Sequence, residues 1–307
     1  MRVLIIGGTG HVGSRLAKHL LKNSVVVSIA TRHPNAVRSW LPDVGVVETA
    51  DIQATNWKSI LTPFTHVVHL VSPQERECNQ FPDEAKRVVE QGSAKIGEAI
   101  RDSGCRVVYL STVQVYGARP SGRITEQSRT SPSNAYAEVH LRAEEILQSH
   151  CGASTTIVRL ANSVGLPANP DISTWHLLVH DLAREAVKHQ TLTLRSSGLQ
   201  HRSFLAMSEV VSALEKICLD DFSGATVNIA NPESMSVRSM AEFIRKQYGL
   251  SSGKNAELRL PDKGDGNTEN PFEISCEALT KSGAKLGDFD SLGREIENIF
   301  TEVEPLQ

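Results

Sequence analysis

The sequence has few cysteines, little net charge and no long apolar run, and each shortage excludes a class of protein. Its five cysteines are scattered without a CxxC pair, which argues against a disulfide framework and against a zinc site. A formal net charge of −3 gives no electrostatic reason to expect a nucleic acid or an anionic membrane as partner. The apolar run Val3 to Ile6 is too short for a signal peptide or a membrane span. We therefore predict a cytoplasmic protein with no metal site, no nucleic-acid partner and no membrane anchor.

Short runs rich in valine and isoleucine alternate with segments of helical spacing in the first half of the chain. Runs without strict alternation suit strands that are buried on both faces of a parallel sheet. Between them, apolar residues recur every three to four positions, most clearly in 12–21 and 135–147. This order predicts an α/β fold with a doubly wound parallel sheet, whose ligand site lies beyond the carboxyl ends of the strands. The strand-like runs are 3–6, 25–30, 44–47, 67–71, 107–110 and 156–160.

A glycine pattern follows the first predicted strand and opens the first predicted helix. It consists of Gly7, Gly10 and Gly13, with His11 and Val12 between the last two. This spacing allows a tight turn, lets the backbone approach a pyrophosphate closely and places the anion at a helix N-terminus. In this strand–helix context the pattern predicts a dinucleotide-binding turn rather than a merely structural one. All five residues are therefore assigned to the cofactor site.

The end of the second predicted strand bears on which dinucleotide is bound. An acidic residue there would accept hydrogen bonds from the ribose of NAD, whereas an arginine can pair with the 2′-phosphate of NADP. The chain has Arg32 and no carboxylate within 30–34, so we predict NADP, with NAD as the alternative cofactor and a solvated arginine as the alternative role. Asp51 and Ile52, just past the third strand, are placed to contact the adenine, although a loop carboxylate is commonly just solvated.

Several segments besides the glycine turn match one known family together. They are 69–72, 111–117, 125–126, 133–136, 159–165, 202–204 and 228–230. With them the chain resembles the extended short-chain dehydrogenase/reductase family, in its NAD-dependent epimerase/dehydratase and nucleotide-sugar branch, where 69–72 stands in place of the family's HLAA and 111–117 in place of its SSxxVYG. The resemblance implies a Rossmann-type sheet, a cofactor contact at Leu70 and a small-molecule substrate that is a nucleotide sugar. It also implies a homodimer built on two helices as one option.

The alternation of strands and helices loosens after Leu160, where a loop rich in proline and glycine begins. We predict a dinucleotide-binding domain over residues 1–165, which segments near 203–232 join. Residues 166–202 and 233–307 are predicted to form a smaller C-terminal substrate lobe.

The resemblance implies that Tyr136 and Thr112 act on the substrate. The chemistry needs a group that exchanges a proton with a substrate oxygen while hydride moves to or from the nicotinamide. Tyr136 matches that group in the family, and Thr112 matches the hydroxyl that hydrogen-bonds the reacting oxygen; a strand-end threonine with a satisfied hydroxyl is the alternative. The 4,6-dehydratases of the family carry an Asp-Glu pair at the next two positions. Val113 and Gln114 stand there instead, which disfavours dehydratase activity.

Position 140 departs from the family pattern. The family has a lysine four residues after the tyrosine, which acts as a cation and as a hydrogen-bond donor to the nicotinamide ribose. Here the residue is His140, whose unperturbed pKa of about 6.5 leaves it mostly neutral at pH 7. Three readings stay open: the histidine substitutes with a pH-sensitive rate, another cation assists, or the protein binds cofactor without efficient turnover.

On the substrate side the resemblance implies two residues. Asn162 matches an asparagine that contacts the nucleotide-diphosphate sugar, and Arg202 matches an arginine that contacts a substrate phosphate, a role to which guanidinium is suited. A loop amide and a surface arginine are the alternatives. His176 and His180 lie four apart without a carboxylate or a third ligand, so no metal site is predicted there.

These observations favour an NADP-dependent oxidoreductase that acts on a nucleotide-activated sugar and reduces a keto-sugar. An epimerase that transiently oxidises its substrate is the nearest enzymatic alternative, and it would more usually hold NAD tightly. A non-catalytic NADP-binding protein is the alternative from another class, because the lysine of the YxxxK motif is replaced by His140.

Overall fold

Buried strands alternate with helices along the N-terminal two thirds of the chain in the computed structural model, which describes residues 1–262, 266 and 268–303. The strands are β1 (Arg2–Ile6), β2 (Val26–Thr31), β3 (Gly45–Glu48), β4 (His66–His69), β5 (Arg106–Thr112), β6 (Gly122–Ile124), β7 (Thr155–Leu160), β8 (Asn162–Val164), β9 (Thr191–Thr193), β10 (His201–Arg202), β11 (Phe204–Ala206), β12 (Thr226–Ile229), β13 (Met235–Ser236), β14 (Glu257–Arg259) and β15 (Phe272–Ile274). The helices are α1 (His11–Lys22), α2 (Pro34–Trp40), α3 (Trp57–Leu61), α4 (Glu75–Gln80), α5 (Pro82–Lys86), α6 (Gly92–Arg101), α7 (Ala135–Cys151), α8 (Leu178–His189), α9 (Met207–Leu219), α10 (Val237–Ser252), α11 (Glu277–Lys281) and α12 (Phe289–Val303).

A seven-stranded parallel sheet forms the centre of the fold. Its strand order is β12-β7-β5-β4-β1-β2-β3, and every neighbouring pair is parallel. The chain moves outward from β1 through β2 and β3, and then returns to β4 on the other side of β1. The order therefore reverses between β1 and β4, where sheets of this kind open a crevice for ligands. The predicted α/β fold with a doubly wound parallel sheet is confirmed.

Helices cover both faces of the sheet, which explains why its strands are apolar throughout. One face packs against α1 and α9, whose buried residues include Leu16, Leu20 and Val210. The other face packs against α3, α6 and α7 through residues such as Ile96 and Leu147. Strands that are covered on both sides have no solvent face, so period-two alternation is not expected in them.

A second apolar cluster lies outside the central sheet and joins α8, α10 and α12. The segment between its parts returns to the large sheet, because α9 packs on α1 and β12 pairs with β7. Residues 263–265, 267 and 304–307 of the predicted substrate lobe lie outside the described residues. Within the described part of the chain, no helix is both long enough and apolar enough to span a bilayer.

Candidate functional site

The glycine turn connects β1 to α1 at the crevice of the sheet. Gly7 has φ of +89°, a left-handed conformation that favours glycine, and a Cβ there would lie 3.0 Å from the Leu70 carbonyl carbon. A Cβ at Gly13 would lie only 2.3 Å from the Gly7 oxygen. The turn is therefore a cradle that side chains would fill, as a closely approaching pyrophosphate requires, and α1 begins directly behind it.

The His11 side chain turns away from this cradle. Its Nε2 lies 2.6 Å from the carbonyl oxygen of Gly165, to which it donates, and burial lowers the pKa of His11. His180 donates to the same oxygen over 3.0 Å, and the Asn169 amide reaches the Thr9 carbonyl over 2.9 Å. These contacts fasten the glycine turn to the loop after β8. The backbone N–H of His11, rather than its imidazole, is what the turn offers to a ligand.

Arg32 follows the carboxyl end of β2 and is exposed. Its guanidinium makes no hydrogen bond or salt bridge to any residue that the structure describes. Asp51 accepts hydrogen bonds from the Gln53 N–H at 3.1 Å and from Arg87 at 3.3 Å. The bond from Gln53, followed by Arg87 and more weakly by the positive charge of Arg32, lowers the pKa of Asp51 against partial desolvation. Asp51 is therefore already paired, whereas Arg32 is available to a ligand.

The two remaining predicted cofactor contacts lie against the crevice from opposite sides. Ile52 packs its side chain on α6, since a Cβ at Gly92 would lie 2.9 Å from Ile52 Cδ1. Leu70 continues the ladder past β4 by donating its N–H to the Ile6 carbonyl over 2.8 Å. Both are partly exposed apolar residues at the carboxyl edge of the sheet.

Thr112 and Tyr136 meet at the carboxyl end of β5. The Asn134 side chain caps α7 by accepting from the Ala137 N–H at 2.8 Å, which places Tyr136 in the first helical turn. The Tyr136 phenol and the Thr112 hydroxyl lie close enough for Thr112 to lower the pKa of Tyr136. Burial is the largest influence and raises the pKa of Tyr136, and the neighbouring Cys78 and Glu75 side chains raise it further. The phenol is therefore protonated at neutral pH.

His140 lies one turn further along α7 with both ring nitrogens engaged. Its Nδ1 is 2.8 Å from the Tyr109 hydroxyl, and its Nε2 is 3.0 Å from Ser72 Oγ. Ser72 itself donates to the Pro73 carbonyl over 2.9 Å, so Ser72 Oγ accepts from Nε2–H and Nδ1 accepts from the Tyr109 hydroxyl. Burial lowers the pKa of His140 to about 3. His140 is thus a neutral imidazole of fixed tautomer.

The neutral form of His140 argues against one of the three hypotheses for position 140. A histidine with a pKa of about 3 does not titrate between pH 5 and pH 8, so a pH-sensitive rate is not expected from it. It also adds no positive field at Tyr136, whose ring lies 4.5 Å from the imidazole centroid. What His140 retains is a directed N–H donor, aimed at Ser72.

Comparison with known proteins agrees with this geometry. A sequence model of the NAD dependent epimerase/dehydratase family matches residues 3–230, which contain the glycine turn, Thr112, Tyr136 and β12. The chain belongs to this family. It is 26% identical over 292 residues to the uncharacterized UDP-glucose epimerase YtcB of Bacillus subtilis (strain 168), covering 89% of each chain. It is 25% identical over 277 residues to UDP-glucuronic acid decarboxylase 5 of Arabidopsis thaliana, covering 85% of this chain and 79% of that one.

Solved structures of epimerases share the fold. The UDP-glucuronic acid 4-epimerase of Bacillus cereus, in complex with UDP-glucuronic acid and NAD, superposes with a TM-score of 0.81 at 20% identity over 100% of both chains. The UDP-N-acetylglucosamine 4-epimerase of Methanobrevibacter ruminantium M1 gives a TM-score of 0.83 at 19% identity, covering 100% of this chain and 99% of that one. At these identities the likeness establishes the Rossmann-type fold.

A buried polar network includes Ser111, the neighbour of Thr112, and sequence reasoning did not assign it. Glu144 forms a salt bridge with Arg159 at 2.7 Å and accepts a hydrogen bond from Ser111, the neighbour of Thr112. Arg159 also reaches the Tyr116 hydroxyl at 3.1 Å. The available signal was spacing, because Tyr136, His140 and Glu144 lie four apart and so share one helix face. Ser72 and Tyr109, the partners of His140, carried no such signal.

The predicted substrate residues lie on two short strands next to the large sheet. Asn162 Nδ2 donates to the Ser203 carbonyl over 3.0 Å, which leaves its Oδ1 facing outward as an acceptor. Arg202 is exposed on β10, which pairs with β13. Because β8 pairs with β11, starting at Asn162 opposite Phe204, the two predicted residues lie near each other.

His176 and His180 do not form a metal site in the described part of the structure, where no group of three or more potential ligands occurs. His180 is instead buried against the Gly165 carbonyl, and burial lowers its pKa to about 4.

Replacing His140 by glutamine is expected to flatten the acid dependence of stability. The folded chain cannot protonate His140 until about pH 3, whereas the unfolded chain protonates it below about pH 6.5. The contribution of the neutral His140 to the free energy of unfolding is therefore complete above about pH 6.5. It decreases as the pH falls, by about 2 kcal/mol between pH 7 and pH 5. Urea unfolding at the two pH values should show this extra loss in the wild type and not in His140→Gln. Parallel losses would refute the neutral buried imidazole, and His189→Gln, at an exposed position, is the matched control.

Proposed function

We propose that the chain is a nucleotide-sugar epimerase, which oxidises a sugar hydroxyl and then returns the hydride to the opposite face of the keto-sugar. The observation that carries the proposal is the closeness of the Tyr136 phenol to the Thr112 hydroxyl at the carboxyl end of β5, on the same edge of the parallel sheet as the glycine turn. The relatives supply the substrate class, since they include UDP-glucose, UDP-glucuronic acid and UDP-N-acetylglucosamine enzymes. A UDP-sugar is therefore the proposed substrate.

The cradle of the glycine turn and the free Arg32 guanidinium fit a nicotinamide dinucleotide, with the pyrophosphate at the N-terminus of α1. A bound dinucleotide would supply the hydride acceptor. The hydrogen bonds of His140 form a line that runs from the Tyr109 hydroxyl through the imidazole to Ser72 and ends at the Pro73 carbonyl.

Tyr136 and Thr112 carry out the proton transfer in the proposed reaction. The substrate hydroxyl binds between the two side chains, and Thr112 fixes its orientation. Tyr136 takes the proton of this hydroxyl as hydride leaves the carbon atom that bears it. Burial raises the pKa of Tyr136 and Thr112 opposes this shift, so Thr112 would also stabilise the anionic phenolate that accepts the proton. The proton returns when the hydride returns, and no net oxidation occurs.

The neighbouring positions argue against dehydration, one of the other reactions of the family. Val113 has no ionisable group, and the Gln114 amide is hydrogen-bonded to Glu75 and Asn134. Neither residue can therefore act as the acid or base that elimination of water requires. The keto-sugar reductase that the sequence favoured has less support than the epimerase, because the relatives act on UDP-sugars as epimerases and decarboxylases.

Product analysis tests the proposal directly. Purified protein is incubated with UDP-glucose, UDP-N-acetylglucosamine or UDP-glucuronic acid, with NAD⁺ or NADP⁺ added in catalytic amount. We expect one sugar to be converted to an epimer without net change in nicotinamide absorbance. Stoichiometric consumption of NADPH with a keto-sugar would favour the reductase instead.

A non-catalytic NADP-binding protein is the second candidate, and the neutral state of His140 favours it, since the family's cation is missing. Measurable cofactor binding without conversion of any of these sugars, and without reduction of any keto-sugar nucleotide, would support it over the epimerase.

Arg32→Ala is expected to weaken binding of NADP by about tenfold and to leave binding of NAD nearly unchanged, because only NADP offers a 2′-phosphate to the free guanidinium. Calorimetric titration with each dinucleotide measures both affinities. Arg38→Ala is the matched control, since Arg38 is also exposed near this edge but bonds to Asn35 at 3.4 Å. Equal losses for both dinucleotides in Arg32→Ala would refute the assignment of NADP.

A further inference from the structure

Glu75 brings a carboxylate to the catalytic pair from a separate part of the chain. It begins α4, which follows the loop after β4. Its Oε2 accepts from Gln114 Nε2 at 3.0 Å, and its Oε1 accepts from Asn134 Nδ2 at 3.4 Å. Gln114 Oε1 accepts from the same Asn134 amide at 3.0 Å, which closes a triangle of hydrogen bonds. The carboxylate is therefore held in place by two neutral side chains.

The two anchors fix where this carboxylate lies. Gln114 is two residues past Thr112, and Asn134 is the cap of α7, two residues before Tyr136. A carboxylate that contacts both anchors lies near the segments that carry Thr112 and Tyr136. The negative charge of Glu75 raises the pKa of Tyr136, although burial and Cys78 have larger effects. A sugar whose reacting hydroxyl meets Tyr136 would therefore bind within range of the charge of Glu75.

The charge of Glu75 is not neutralised within the described residues, where it forms no salt bridge, and its side chain is exposed. A hydroxyl or an N–H of a bound sugar can donate to it, whereas a carboxylate on the sugar would meet a like charge. Like charges at short range are a means by which a site rejects a ligand that otherwise fits.

We propose that Glu75 determines substrate specificity by selecting UDP-sugars whose ring is uncharged, such as hexoses and N-acetylhexosamines, against UDP-uronic acids. The inference rests on the proposed function, since it assumes that a UDP-sugar binds against Tyr136. By this proposal the chain differs in substrate specificity from relatives whose substrates carry a carboxylate. The proposal also assigns a role to a residue outside the motifs that Thr112 and Tyr136 belong to.

Equilibrium binding of UDP-glucose and UDP-glucuronic acid to the cofactor-loaded protein tests the proposal. We expect the wild type to bind UDP-glucose at least about tenfold more tightly. Glu75→Gln keeps an oxygen acceptor and the shape of the side chain, and it should narrow the ratio to about threefold by strengthening the binding of UDP-glucuronic acid. Thermal unfolding of each variant confirms that it is folded.

Glu138→Gln is the matched control, because Glu138 is an exposed carboxylate two residues past Tyr136 and contacts neither anchor of Glu75. It should leave the wild-type ratio unchanged. Equal affinity of the wild type for both sugars, or an unchanged ratio in Glu75→Gln, overturns the role of Glu75 and leaves the epimerase proposal standing. Failure of UDP-glucose, UDP-glucuronic acid and UDP-N-acetylglucosamine alike to bind the folded, cofactor-loaded protein overturns both proposals.

Discussion

Tyr136→Phe is expected to lower the turnover number by two to four orders of magnitude, which is about the contribution of a positioned acid–base group, while leaving cofactor affinity unchanged. The substitution removes only the hydroxyl that exchanges a proton with the substrate. The aromatic ring keeps its edge contact with His140, whose centroid is 4.5 Å away, so the first turn of α7 should stay in place. Steady-state kinetics with the active UDP-sugar and calorimetry with the dinucleotide measure the two quantities separately.

Tyr248→Phe is the control for this experiment. Tyr248 is buried in the second apolar cluster, where its ring packs edge-on against Phe300 at 5.5 Å. Loss of its hydroxyl should leave turnover within about twofold of the wild type, since surface and core changes away from a site act mainly on stability. Undiminished turnover in Tyr136→Phe would contradict the proposed mechanism, and a parallel loss of cofactor affinity would indicate a structural role for the phenol.

Gly13→Ala is expected to abolish detectable dinucleotide binding and to lower the free energy of unfolding by about 1–3 kcal/mol, the usual cost of overpacking. The added Cβ would lie 2.3 Å from the Gly7 oxygen and 2.8 Å from Gly8 Cα. Both are backbone atoms of the glycine turn, so relief requires the turn itself to move. Calorimetry with NAD and NADP, together with urea unfolding, measures both effects.

Gly10→Ala provides the comparison, because it adds the same methyl group three residues earlier. A Cβ at Gly10 meets only the Gly7 oxygen, at 3.4 Å, and the φ of −77° suits alanine. We therefore expect wild-type stability, with any loss confined to cofactor affinity through closer approach of the methyl group to the pyrophosphate. Wild-type stability and affinity in Gly13→Ala would show that the turn is not the rigid cradle described here.

The glycine and tyrosine variants test cofactor binding and catalysis separately. Gly13→Ala should lose dinucleotide binding, whereas Tyr136→Phe should still bind the cofactor but lose turnover. The non-catalytic alternative predicts the first result and no measurable effect of the second. Together with product analysis, the set therefore distinguishes an epimerase from a protein that only binds a dinucleotide.

The apolar runs and the glycine spacing were sufficient to predict the fold. Strand and helix periods are local properties, and the steric demands at Gly7 and Gly13 arise within a single strand–turn–helix unit. The positions of Thr112 and Tyr136 at the crevice follow from the same rule, since the carboxyl ends of parallel strands and the helices after them share one edge of the sheet. For these features the sequence alone is adequate.

The tertiary structure decided what the sequence left open at His140. The residue type indicated an imidazole that titrates near neutrality, but its partners are Ser72, in the segment after β4, and Tyr109 on β5, which are 68 and 31 residues away in the chain. Burial of α7 against these segments removes water from the ring and lowers the pKa of His140 to about 3. The same holds for Glu75, whose anchors are 39 and 59 residues distant. The periodic spacing of residues along strands and helices determines which side chains face the crevice. Desolvation and hydrogen bonds to residues distant in sequence determine the charge and the partners of these side chains.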